Sequence, residues 1–314
     1  MRVHNCVASP ARLEAHPMNY RHAFHAGNFA DVLKHAVLAL CLEHFKRKDK
    51  PFAVIDTHAG IGAYDLTSDA ARRSPEWQQG IGRVMAAERP ADVERVLAPL
   101  LRIIKAMNTG ADLTAYPGSP EVSARLIRPA DRVHLCELHE ADSKTLDKRY
   151  ALNARVKMEQ RDGYKALKAL LPPREKRGLV LIDPPFESRD EFVRLAEAAM
   201  RGLERWPSGT FVFWRPMKDL WSLDRFDEGL AEWLVTERDV EPSSILRADM
   251  WVRDLQSEGK LAGAGLVIIN PPHTLEADLL VLMPWLCEAL RQGEGAGWRL
   301  DGIVTGEMAA SWEG

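Results

Sequence analysis

The stretch LVLIDPPFESRD, residues 179–190, sets the frame for the chain. Four aliphatic residues in succession read as a strand buried on both faces, because a strand with one wet face would alternate apolar and polar. The run stops at Asp183, and two prolines, each with a fixed φ and no N–H to donate, stiffen the exit before Phe186. The same pattern of aliphatic run, acid and turn recurs on either side. PFAVIDTHAGIGAY gives a strand at Phe52–Ile55 that ends in Asp56 and a glycine turn, and VHLCEL ends near Glu137. VKMEQ (156–160) leads into RDGYKALKALL, where Asp162 opens a turn and a helix. Beyond 190 come a helix over 189–204, the strand TFVFW (210–214), a helix through Leu234, and a strand pair near 245–252 and 264–270 that suits an antiparallel edge.

Helical spacing covers Asn28–Lys46, residues 121–128 and about Glu140 to Ala154. Strands alternating with helices predict an α/β fold: a Rossmann-like, mostly parallel sheet with helices on both faces. Such sheets bind ligands beyond the carboxyl ends of their strands, which would make Asp56, Glu137, Asp162 and Asp183 neighbours at one rim. Residues 65–115 interrupt this alternation with helix-like stretches broken near Ser74–Pro75 and Pro90, and read as an inserted small helical subdomain. The domain itself spans 18–311. Residues 1–17 are mixed and without periodicity, as expected of a loose tail or of a translation start set too far upstream.

Composition bounds the function classes. The 314 residues carry 28% charged side chains, a mean hydropathy of -0.26 and a formal charge of -3, so a nucleic-acid partner has to be met by a local patch, not a global field. Cysteines at 6, 41, 136 and 287 show neither a zinc spacing nor a disulfide framework, which fits thiols in a reducing compartment. With no secretory signal and no run of eighteen apolar residues, the expectation is a cytoplasmic protein with no membrane partner.

DTHAGIG (56–62) has two glycines that let the backbone turn sharply and approach a ligand, but it is neither the dinucleotide fingerprint nor a phosphate-binding loop. Glu137 can accept hydrogen bonds from a ribose diol, and Asp162 can hold an adenine amino group; the competing reading is that each strand-end acid caps the next helix. Asn270-Pro271-Pro272-His273 also follows an aliphatic strand and reads as a structural exit. The histidines at 22, 25, 35, 44 and 58 lack a matching set of cysteines or carboxylates, so no metal is expected. Arg21, Lys34 and the Lys46–Lys50 cluster would form a basic patch for phosphates.

Asp183-Pro184-Pro185-Phe186 matches the (D/N)PP(Y/F) motif of S-adenosylmethionine-dependent methyltransferases that act on amino groups. The chemistry explains the residue types. An exocyclic adenine nitrogen has two hydrogens, one for the Asp183 carboxylate and one for the Pro184 carbonyl, while Phe186 stacks on the base. With both hydrogens held, the nitrogen lone pair can be aimed at the methyl donor.

YRHAFHAGNFADVLKH (20–35), DTHAGIG (56–62), YPGSP (116–120), ELH (137–139), RDGY (161–164) and LIDPPF (181–186), in that order, resemble the bacterial 23S ribosomal RNA adenine-2030 N6-methyltransferase family over about residues 18–311. The resemblance implies a class I methyltransferase with a small helical insertion, largely monomeric, that uses S-adenosylmethionine to modify unassembled 23S rRNA. It implies Lys34, His58, Ser119, Glu137, Asp162 and Asp183 around the cofactor, Asp183 as catalytic acid with Pro184 and Phe186 beside it, and Tyr20, His22 and Asn28 near the active site. Phe186 stands where the family has Tyr, which removes any role for a phenolic hydroxyl. Two alternatives remain open: a DNA adenine-N6 methyltransferase, and a noncatalytic RNA-binding or ribosome-assembly protein on the same scaffold.

Overall fold

Asn28 starts the first long helix. Its Oδ1 accepts from Asp31 N at 3.0 Å, capping α1 (Phe29–Lys46), which is buried along most of its length. This computed structural model describes residues 21–241 and 244–302; the 1–17 tail, Tyr20 and everything after 302 lie outside the described residues. After α1 come β1 (Ala53–Asp56), β2 (Ala63–Asp65), the helices α2 (Asp69–Arg73), α3 (Glu76–Gln79), α4 (Ile81–Ala86) and α5 (Ala91–Met107), then β3 (Ala115–Pro117) and α6 (Ser119–Leu126). The alternating part follows: β4 (Arg132–Glu137), α7 (Glu140–Tyr150), β5 (Val156–Gln160), α8 (Gly163–Leu170), β6 (Gly178–Ile182), α9 (Glu191–Arg205), β7 (Thr210–Pro216) and α10 (Leu220–Arg238). The chain closes with β8 (Ile245–Trp251), β9 (Gly263–Ile269), α11 (Leu275–Leu290) and β10 (Gly297–Gly302).

Eight strands form one sheet in the order β10-β8-β9-β7-β6-β1-β4-β5. The five strands from β7 to β5 run parallel; β9, β8 and β10 extend the sheet antiparallel. Strand order reverses at β1, which lies between β4 and β6, and the crevice there opens at the carboxyl ends. Side chains follow the period of two: Leu179, Leu181 and Val212 join the core under α1, α5, α6 and α11, while Val180, Ile182, Phe211 and Phe213 join the core under α8, α9 and α10.

Several elements differ from the sequence expectation in extent. α7 ends at Tyr150, four residues before Ala154, and the intervening residues turn into β5. α10 continues past Leu234 to Arg238 and ends on Asp239 in the left-handed conformation. The helical insertion stands on a short antiparallel ribbon, since β2 pairs with β3 across Ala63 and Pro117.

Candidate active site

Beyond the carboxyl ends of β1, β4 and β6 lies a cavity of about 330 Å³. Ten residues singled out from the sequence line this one cavity: His22, Asn28, Lys34, His58, Ser119, Glu137, Asp162, Asp183, Pro184 and Phe186. Tyr20 falls outside the described residues.

One side carries polar groups held in fixed directions. Glu137, at the last position of β4, accepts from Gly60 N and from His139 N, both at 2.8 Å, so its carboxylate is fixed in direction. Burial pushes its carboxyl up, and the two N–H groups partly offset this. Gly60 sits at φ 62, where a side chain would strain the turn and a Cβ would meet the Tyr64 hydroxyl at 2.5 Å. Beside Glu137, Leu138 is 54% exposed and lines the cavity, an apolar surface for a base. Asp162 serves both readings weighed from the sequence: it caps α8 by accepting from Lys165 N at 3.2 Å, and it lines the cavity. His58 is pulled down to about 4 by burial, so its imidazole is neutral at physiological pH. Its Nδ1 lies 2.8 Å from Thr57 Oγ1, and its ring meets that of Tyr164 edge-on.

The other side is built on an ion triad that the sequence did not reveal. Lys34 Nζ lies 2.5 Å from Asp183 Oδ2 and 2.8 Å from Asp31 Oδ1. Burial favours the neutral amine, but Asp183 and Asp31 outweigh it and hold Lys34 far above its ordinary range. Asp31 also accepts from Gly27 N and His22 Nε2. Although burial pushes its carboxyl up, His22 and Lys34 prevail and hold it well below the usual value. Lys34 is therefore a buried partner of the catalytic candidate, and the basic patch expected from Arg21, Lys34 and Lys46–Lys50 does not form. Twelve helical residues, about 18 Å of rise, separate Lys34 from Lys46 on α1.

Phe186 adopts φ 50, a costly backbone conformation for a large residue, and its ring meets Phe192 at 4.8 Å and Trp214 at 5.7 Å. Trp214 also lines the cavity. Its signal in the sequence is its place at the end of TFVFW, on the strand beside LIDPPF. At the mouth, Glu76 accepts from His25 at 3.1 Å and from Asn28 Nδ2 at 3.2 Å, with Lys260 Nζ at 3.4 Å. Asp31, three residues before Lys34 on α1, could have been found from that spacing.

Asn270 confirms its structural reading: at φ 52 it donates to the Pro207 and Gly209 carbonyls. Among the described residues no group of three His, Cys, Asp or Glu side chains is arranged around a metal position, and no helix is long and apolar enough to cross a membrane. Cys41, Cys136 and Cys287 are buried free thiols.

The sheet order, the reversal at β1 and the cavity at its carboxyl rim are those of a class I methyltransferase fold. Residues 49–304 match the family model described as Ribosomal RNA large subunit methyltransferase D, RlmJ. The chain is 36% identical to Ribosomal RNA large subunit methyltransferase J of Haemophilus influenzae over 289 residues, covering 91% of this chain and 99% of that one. It is also 36% identical to the Escherichia coli protein of the same name, over 86% and 92% of the two chains. A crystal structure of a Legionella pneumophila protein superposes with a TM-score of 0.76 at 32% identity, covering 89% of this chain and 98% of the other. The chain belongs to the RlmJ family.

Proposed function

We propose that the protein transfers the methyl group of S-adenosylmethionine to N6 of a single adenine of 23S rRNA, the one at position 2030, and acts on RNA free of ribosomal proteins. The observation that carries this reading is the meeting of Asp183, Pro184 and Phe186 with Glu137 and Asp162 on one cavity. An amine-binding exit and a nucleoside-binding exit sit where donor and acceptor have to touch. Membership of a family named for large-subunit rRNA supports RNA over DNA.

The residues fit the cofactor. Glu137 suits a ribose diol, Leu138 an adenine face, and Asp162 an adenine amino group. When bound, S-adenosylmethionine supplies a methyl group on a positively charged sulfur. A neutral His58 is compatible with that cation, where an imidazolium would repel it.

Asp183 and the Pro184 carbonyl accept the two N6 hydrogens, and the proline-stiffened exit keeps both acceptors aligned. Lys34 anchors Asp183 from behind, so the carboxylate does not swing into solvent between turnovers. As N6 gains the methyl group it becomes cationic, and Asp183 stabilises the charge and takes the surplus proton. Phe186 and Trp214, edge-on to one another, give the base position one aromatic wall.

Protein-free rRNA incubated with the protein and labelled S-adenosylmethionine should yield N6-methyladenosine mapping to position 2030. Label on DNA in direct competition, or none on either polymer despite cofactor binding, would reject the assignment.

A further inference from the structure

Trp221 is 69% exposed, one of the few large apolar side chains left open to solvent among the described residues. It sits in the first turn of α10, three residues beyond Lys218, whose side chain lines the cavity. The inward side of α10 is carried by Leu223, Phe226, Asp227 and Leu230, so the helix does not need Trp221 for packing. Arg225, one turn on, places its guanidinium over the indole ring at 4.9 Å. The ring is thus backed by a cation, and much of its surface remains available.

The layout of the cavity says which way a polymeric substrate leaves. Glu137 and Asp162 occupy the β4–β5 side, whereas Phe186 and Trp214 occupy the β6–β7 side. Ring contacts run from Phe186 to Phe192 (4.8 Å) and from Phe192 to Phe226 (5.9 Å), which brings α10 alongside the base position. Pro216 and Lys218, which lead into α10, line the cavity on this side, so a strand whose adenine enters beside Phe186 passes the start of α10. Cationic side chains mark this path, interspersed with the exposed acids Asp224 and Glu228. Asp219 and Asp190 keep their charge but are held in place by hydrogen bonds from the Ser222 N–H and hydroxyl and from the Ser188 hydroxyl, and Glu191 is paired with Arg194. Arg189, Lys218 and Arg225 form no ion pair among the described residues and stay available to phosphates.

We propose that Trp221, backed by Arg225 and flanked by Lys218, is the stacking platform for the nucleotide next to the target adenine, with the cations meeting its phosphates. This deepens the function proposed above and rests on it. The occupant is an unstacked RNA strand, because base stacking on an aromatic ring tolerates any base while the cations need only a backbone.

The test uses the full chain and a protein-free rRNA fragment that contains the target adenine, with 2-aminopurine at each flanking position in turn. Wild-type protein should quench one of the two probes. Trp221→Ala should abolish that quenching and weaken RNA binding by about 5- to 150-fold, the range for loss of one base–aromatic stack, with cofactor affinity and kcat at saturating RNA unchanged. Trp221→Phe should retain both signals, and Arg225→Ala should lower the salt dependence of binding by about one phosphate contact. Unaltered affinity and quenching in Trp221→Ala, while wild type methylates the RNA, would overturn the platform and leave the function standing. Loss of self-association in that variant with RNA affinity intact would assign the face to a second copy of the chain and equally overturn it. A wild-type protein that neither binds nor methylates RNA would instead remove the function on which the platform rests.

Discussion

Replacing Lys34 with Met removes the one cation between two carboxylates. Asp31 is 2% and Asp183 15% exposed at the side chain, so water screens Asp183 only in part and Asp31 hardly at all. At an effective dielectric near 20, each pair at these separations is worth about 6 kcal/mol of Coulomb energy, and losing both would cost more than protonating one acid. The variant should therefore take up a proton. For a carboxyl of ordinary pKa that uptake costs about 4 kcal/mol at pH 7, and about 1.4 kcal/mol less for each unit the pH is lowered. Wild-type Lys34 is raised above its ordinary 10.5, so its contribution is fully present below that value and is lost only as pH rises through the folded value. Urea unfolding of both proteins at about pH 7 and about pH 5 should then give a difference of roughly 3–4 kcal/mol that shrinks to roughly 1–2 kcal/mol in acid. Adding Asp31→Asn should restore most of the loss at neutral pH. If the proton settles on Asp183, the N6 hydrogen loses its acceptor, and kcat should fall by about 100-fold or more. A loss of stability independent of pH, or none at pH 7, would refute the triad as the source.

Three further outcomes follow from the same geometry. Asp183→Asn keeps an acceptor but cannot take a proton, so kcat should drop by about 100-fold or more while calorimetry shows cofactor affinity within a few-fold. Burial, with Asp183 adding to it, pushes Asp56 up to about 7 from 3.8. A raised acid stabilises below its unfolded value, and that contribution is lost as pH rises towards 7, so Asp56→Asn should gain on wild type by about 1–3 kcal/mol at about pH 8 but not at about pH 5, as read by thermal melts. Arg215→Met leaves Asp227 and Asp249 buried without their shared cation and should cost about 3–5 kcal/mol in urea unfolding.

How much the sequence disclosed depends on whether a feature is local. Helix α1, strands β4 to β7 and the acid at each strand exit are properties of short windows, and periodicity with exit residues was enough to place Asp56, Glu137, Asp162 and Asp183. The ordered motifs then brought ten residues to one cavity. Lys34 shows the limit: its partner Asp183 is 149 residues away, and a lysine at that spacing reads equally well as a solvated cation. β10 carries Trp298, Arg299, Leu300 and Asp301 in a partly buried row, without the aliphatic run that marks β6 or β9, so its pairing with β8 was invisible. The β2–β3 ribbon is three residues per strand, too short for alternation to register.

Charge inside the sheet is the least legible feature, and it bears on the site. Arg215, Gly265, Asp249 and Arg299 stand opposite one another across β7, β9, β8 and β10. Arg215 Nη1 reaches across Gly265 to Asp249 Oδ1 at 2.7 Å, and a Cβ on Gly265 would lie 1.8 Å from that oxygen, so only glycine fits. Asp227 of α10 accepts from Arg215 Nε at 2.6 Å and ties the helix to the same row. Trp214 and Arg215 are neighbours on β7 and point to opposite faces, Trp214 lining the cavity and Arg215 in the ion row. A slip of one residue would exchange them, burying the indole among carboxylates and aiming a guanidinium at the base position. An apolar row could match the stability, since buried ion pairs recover little beyond their desolvation cost. What an apolar row would lack is the penalty against the wrong register. The antiparallel extension, which holds none of the four acids at the rim, therefore fixes where β7 and the start of α10 stand, and with them the wall that Trp214, Pro216 and Lys218 give the cavity.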